Sequence, residues 1–209
     1  MLRYLFDASA AAEIYRPRSP QVGKIIQHMI DQRTVLRRAA FFIPNFCIAE
    51  VFNTFARWHF DPPESRQKIE WAEYERMVRR FRLDVRWGRM LYTYDLSRYH
   101  IMAADEIIPI EHTVARRSER DHLSTYDILL IAMGCELHYI GPAQSVYLVT
   151  CDRRIQIVCE EFRKSDIHRV RRKVSRALEE PESTRWFPPN VLYLPSMKAS
   201  DVPATGAAD

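Results

Sequence analysis

The chain has 209 residues, 47% of them hydrophobic, which suits one enlarged domain with a proper core. Charged residues make up 28% and the formal net charge is +4, a mild basic excess that permits a nucleic-acid partner without demanding one. Cys47, Cys135, Cys151 and Cys159 show no CxxC spacing and the seven histidines form no HxxxH pair, so disulfides and a zinc site are not expected. The cysteines read as buried free thiols of a reducing compartment.

The opening MLRYLFDASAAA is not a signal peptide, because Asp7 interrupts an apolar run that is too short. No stretch approaches the ~20 apolar residues needed to span a bilayer, so a soluble, cytoplasmic protein with no membrane partner is expected. Residues 2–6 (LRYLF) predict a buried strand, closed by Asp7 and followed by helical composition in ASAAAEIY. After a break at 16–20, Ile25, Ile26, Met29, Ile30 and Leu36 predict one apolar stripe on a helix over 20–38. FFIP at 41–44 predicts a second strand, and the spacing of Phe46, Ala49, Phe52, Asn53 and Ala56 a helix over 45–60.

Asp61-Pro62-Pro63 ends that helix, and 64–83 predict a charged one. LYTYDLS at 91–97 alternates weakly like a strand, with helical sequence through about 108 and a polar connection over 111–122. A helix over 126–140, started by Ser124 or Thr125 and ended by Gly141 and Pro142, is the clearest in the chain. VYLVT at 146–150 predicts a strand, RRIQIVCEEFRK a helix, and VLYLP a last strand after Pro188-Pro189. The tail from Ser196 reads as disordered. Strands alternating with helices indicate an α/β fold with a mostly parallel sheet flanked by helices.

Four acids stand where elements can aim a carboxylate beyond the strand ends: Asp7, Glu50, Asp127 and Asp152. Two carboxylates ~4 Å apart repel by ~4 kcal/mol at an effective dielectric of 20, so a cluster of four needs a cation. Oxygen ligands suit a hard divalent ion, Mg²⁺ or Mn²⁺, able to activate water for attack on a phosphodiester. Each acid also has a plainer role. Asp7 and Asp152 precede helices and can cap them, Asp127 lies in a first helical turn, and Glu50 can pair with Arg57 or Lys68. An aspartyl-phosphatase motif is set aside, because Ser9 stands where its second Asp would be.

In order, YLFDASA, IPNFCIAEVFNTFAR, LSTYDILLIAMGCEL and LVTCDRRI resemble the four acidic segments of the PIN-domain nucleases, closest to the VapC-like toxins. VLYLP resembles the family's final strand. The matching segments cover about a third of the chain and span nearly its whole length. The resemblance implies a three-layer PIN-like domain over 1–195, with insertions near 61–90 and 160–187 and the disordered tail at 196–209. It also implies Mg²⁺- or Mn²⁺-dependent endonucleolytic cleavage of RNA by Asp7, Glu50, Asp127 and Asp152, with Ser9 and Thr150 in support. A homodimer and a separately encoded antitoxin protein are the partners it implies. The chain departs from the family where Arg153 and Arg154 follow Asp152, because many relatives carry Asp or Asn there. That departure favours an alternative, a catalytically weak RNA-binding or protein-interaction module.

Two basic clusters complete the reading. ERMVRRFRLDVRWGR carries Arg79, Arg80 and Arg82 among six arginines, with Phe81 and Trp87 interleaved, and RKSDIHRVRRK carries Arg171 and Arg172. Arginine with aromatics suits single-stranded nucleic acid through phosphate pairing and base stacking. The plainer reading is two solvated helix faces.

Overall fold

The fold is that of a computed structural model, which describes residues 1–64, 66–118, 121–140, 146–179 and 187–204. Five strands form one sheet in the order β3-β2-β1-β4-β5: β1 (Leu2–Phe6), β2 (Ala39–Pro44), β3 (Tyr92–Tyr94), β4 (Val146–Thr150) and β5 (Asn190–Tyr193). β1 pairs with β2 in parallel, Leu2 opposite Ala39, and β2 with β3, Pro44 opposite Tyr94. Runs such as AAFFIP and VYLVT lack polar alternation because helices cover both faces of such a sheet. The expected α/β fold with a parallel sheet flanked by helices is the fold observed.

The chain divides into two compact units. The first comprises Met1–Tyr94, Val149–Cys151 and Leu194–Asp209. It holds β1 to β3 with helices α1 (Ala8–Glu13), α2 (Pro20–Thr34), α3 (Cys47–Phe60) and α4 (Trp71–Arg86). Its core is aromatic: Tyr4, Phe6, Phe41, Phe55 and Phe81 are fully buried, with Tyr15 set edge-on to Phe55 and Phe81 at 5.6 and 5.5 Å. Helix α2 is capped by the Ser19 hydroxyl and ends at Thr34, short of the predicted 38, so Leu36 is exposed rather than on the buried stripe. Helix α4 starts at Trp71, seven residues later than predicted. Ile69 is drawn into the core ahead of it, its N–H donating to the Trp58 carbonyl at 3.1 Å. The segment from Ser196 is described as far as residue 204. It includes a 3₁₀ turn at Ala199–Asp201, buried Met197 and Val202, and a Pro203 carbonyl that accepts from Gln32 at 2.7 Å. Residues 205–209 of the expected tail lie outside the described residues.

The second unit comprises Asp95–Leu148 and Asp152–Tyr193. It holds α5 (Arg98–Ser118), α6 (Thr125–Ile140), α7 (Arg153–Lys164), α8 (Ile167–Leu178) and β5. Helix α6 is apolar around most of its circumference and packs beneath α5 and α7. Its Gly134 permits a close approach, since a Cβ there would meet the Pro189 ring at 2.6 Å. The Gly141 and Pro142 predicted to end this helix lie outside the described residues. The polar stretch 111–118, predicted as a connection, is helical. Ile107, Glu111 and Ala115 recur every four residues on a buried stripe, and the buried carboxylate hides the apolar period. Pro109 sits inside this helix without ending it. No helix among the described residues is long and apolar enough to cross a membrane.

Candidate active site

β1 has β2 on one side and β4 on the other, which makes the carboxyl ends of β1 and β4 the switch point where open α/β sheets bind ligands. Asp7 follows β1 there. Its backbone N–H donates to the Val149 carbonyl at 3.0 Å, and its Oδ1 caps α1 through the Ala10 N–H. The Ser9 hydroxyl donates to the same oxygen at 2.9 Å, and the fully buried Thr150 hydroxyl donates to Oδ2. Ser9 Oγ accepts in turn from the Cys151 N–H at 3.3 Å. Asp7, Ser9 and Thr150, the last of them 143 positions from Asp7, are thus brought together in the first unit.

Glu13 and Cys151 belong to the same unit. Glu13 is wholly buried and takes the Arg18 backbone N–H at 2.6 Å, the Arg18 Nε at 2.8 Å and the Arg66 Nη2 at 2.5 Å. Burial, reinforced by the charge of Asp7, pushes the Cys151 thiol up to about 12 against the pull of Arg18. That thiol is therefore neutral near pH 7 and offers no thiolate nucleophile.

Glu50 lies in the first turn of α3 and is exposed. A helix over 45–60 would carry Glu50 past its first turn, but the helix starts at Cys47, so the dipole at its N-terminus favours a carboxylate there. Cys47, Val51, Phe55 and Trp58 form the buried stripe of α3, and Glu50 lies off it.

In the second unit Asp127 and Asp152 sit at helix starts. Asp127 Oδ2 accepts from the Ser124 N–H at 3.0 Å and hydroxyl at 2.7 Å, while Ser124 Oγ accepts from the Asp127 N–H at 3.2 Å. This is a reciprocal capping box at the start of α6. Asp152 caps α7 through the Arg154 N–H at 2.8 Å. Arg154 folds back on it, with Nε at 3.1 and 3.0 Å from its two oxygens and Nη2 at 2.5 Å from Oδ2. These bonds to Asp152 hold the guanidinium above its usual range against the opposing effect of burial, and the charges of Asp152, Asp127 and Asp121 add to them. Asp127 and Asp152 thus act on one cation, and Arg154 also donates to the His122 carbonyl at 3.1 Å.

Each of the four acids is an oxygen donor of the kind that Mg²⁺ or Mn²⁺ takes. The capping roles are not exclusive of that fit, because each carboxylate oxygen carries two lone pairs. Arg154 is the feature that opposes it, since its guanidinium occupies both oxygens of Asp152.

Of the basic residues, Arg79, Arg80 and Arg82 are exposed on α4, and Arg80 lies over the Tyr15 ring at 5.5 Å. Phe81, read as a stacking partner, is instead a core residue. On α8, Arg172 is exposed, whereas Arg171 is buried with its guanidinium 5.7 Å from the Phe187 ring. One grouping escaped the sequence reading. Glu111, His112 and His122 bring their donor atoms within 4.8 Å of one another, which makes them able to hold a metal ion. The missing HxxxH spacing pointed away from this, because the grouping depends on where α5 ends.

No family model matches the chain and no curated protein matches it. Among solved structures, that of VapBC2 from Rickettsia felis bound to a DNA fragment from their promoter is similar, with a TM-score of 0.44 and 11% identity. The match covers 75% of this chain and 93% of that one.

Proposed function

We propose that the chain is a metal-dependent endoribonuclease of PIN type, in which Asp7, Glu50, Asp127 and Asp152 hold Mg²⁺ or Mn²⁺. The observation that carries this reading is the two-sided hold on Asp7. A helix cap needs one carboxylate oxygen. Here Ser9 and the Ala10 N–H take one oxygen, and a buried threonine from the end of β4 takes the other. Such a hold fixes the orientation of a carboxylate, as ligands of catalytic metals require. Bound by these acids, the ion would supply charge neutralisation and Lewis acidity toward a phosphodiester and activate water for hydrolysis.

The chain's own residues supply the rest. Ser9 and Thr150 orient Asp7, and Arg154 would have to give up its hold on Asp152 for that carboxylate to take an ion. Arg79, Arg80, Arg82 and Arg172 offer exposed cations for the phosphates of single-stranded RNA. An antitoxin protein and a second copy of the chain are the protein partners that this reading adds. The clamp of Arg154 on Asp152 favours a second reading, a catalytically weak RNA-binding or protein-interaction module.

Cleavage of a mixed single-stranded RNA pool by the purified protein separates the two. The ribonuclease reading expects cutting with Mn²⁺ that stops with EDTA or with Asp7→Asn. RNA retention without cutting, by a folded and metal-supplied protein, refutes it in favour of the binding module.

A further inference from the structure

We infer that Glu111, His112 and His122 form a transition-metal site, separate from the four acids, with zinc as the ion that its chemistry fits best. Glu111 and His112 lie on α5, and His122 follows that helix in the lead-in to α6. The Glu111 carboxylate is buried, with Oε2 3.0 Å from His122 Nδ1 and 3.9 Å from His112 Nε2. The two imidazoles face each other with ring centroids 4.5 Å apart. Three nitrogen and oxygen donors of a histidine, histidine, glutamate set, with a place left for solvent, are what zinc takes at open sites. Tetrahedral bonds of ~2.0–2.1 Å require donors ~3.3 Å apart. The His122–Glu111 pair already meets that spacing, and His112 Nε2, on an exposed side chain, lies about half an ångström beyond it from the Glu111 oxygen.

The buried carboxylate is held from behind, since its Oε1 accepts from the Leu123 N–H at 2.9 Å. Support of this kind fixes a ligand for its metal. His122 Nδ1 lies 3.2 and 3.0 Å from the two Glu111 oxygens, whereas His112 Nε2, at 3.9 Å, turns toward the carboxylate from beyond hydrogen-bond distance. Imidazole ligands favour zinc, nickel or copper over magnesium, so this site and the carboxylate set would discriminate between hard and borderline ions. A bound ion would clip the end of α5 to the lead-in to α6. It would also hold His122, whose carbonyl accepts from Arg154. The inference does not depend on the ribonuclease reading.

The test is Zn²⁺ titration of metal-stripped full-length protein in millimolar Mg²⁺, followed by calorimetry, with Co²⁺ as the spectroscopic probe. The expected result is one equivalent bound per chain, a d–d spectrum of tetrahedral intensity with Co²⁺, and a Tm that rises to saturation at one equivalent. His112→Ala and His122→Ala should each weaken binding at least about tenfold and abolish the tetrahedral spectrum, while Asp7→Asn leaves both intact. The two histidine side chains are 59% and 53% exposed, so circular dichroism should show both variants folded. Absence of stoichiometric binding, or binding that survives both histidine variants, overturns the site. Loss of Zn²⁺ with Asp7→Asn would move the ion to the acids and overturn it equally.

Discussion

Replacing Arg154 with glutamine removes the guanidinium that engages both oxygens of Asp152 and leaves the backbone N–H that the aspartate caps. The two side chains are 36% and 26% exposed, so the pair is partly screened and contributes about 1 kcal/mol, somewhat more for its two-pronged geometry. If Asp152 ligates the ion, that interaction is lost whenever the ion binds, and its removal in advance raises Mn²⁺ affinity. At about 1–1.5 kcal/mol the gain is about five- to twelvefold. Mn²⁺ titration by electron paramagnetic resonance measures it, with Arg154→Lys as the variant that keeps the charge and loses the fork. Cleavage at subsaturating Mn²⁺ should rise in parallel. Unchanged affinity in Arg154→Gln would refute the competition argument. Loss of cleavage at saturating Mn²⁺ would show instead that Arg154 serves the substrate.

Thr150→Val deletes a buried hydroxyl bonded to Asp7 and should cost about 1.5–3 kcal/mol in urea unfolding, with Thr150→Ser close to wild type. A loss below about 0.5 kcal/mol would contradict the hydrogen bond. Glu13→Gln leaves Arg18 and Arg66 facing a neutral group in a buried site and should cost about 3 kcal/mol in chemical denaturation, whereas a cost under about 1 kcal/mol would refute the pairing. Burial lifts the thiols of Cys151 and Cys159 to about 12. Both therefore bind protons more tightly in the folded chain than in the unfolded one, and their contribution to stability is fully present below about pH 9 and lost as the pH rises to about 12. Denaturation at a series of alkaline pH values should show this decline, and Cys159→Ala should flatten it. An equal slope in the variant would refute the buried-thiol argument.

The fold was legible where apolar runs are continuous and bounded by breakers. VYLVT and LRYLF are buried on both faces of a parallel sheet, so no alternation blurs them, and TYDILLIAMGCEL declares a helix by its length. Legibility failed where a polar residue takes a core position. Glu111 interrupts the stripe formed with Ile107 and Ala115, so the second half of α5 reads as a connection. Arg171 fails in the opposite sense, since a cation in a basic run reads as surface until its ring partner Phe187 is known. Among the candidate site residues, the contact of Ser9 with Asp7 follows from their spacing of two along the chain. The hold of Thr150 on Asp7 depends on strand order, which local spacing does not encode. The fold-back of Arg154 follows from a cap whose side chain lies within reach of a guanidinium two residues on. The approach of His122 to His112 depends on where α5 stops, and a reading that ended the helix near 108 left no means of finding it.

The most direct test of the central claim is Mn²⁺ binding by electron paramagnetic resonance in a His122→Ala background, which removes the imidazole site from the measurement. Asp7→Asn, Glu50→Gln, Asp127→Asn and Asp152→Asn are each expected to weaken Mn²⁺ binding about tenfold or more. Mn²⁺ affinity unchanged by Asp7→Asn in a folded protein would contradict the account.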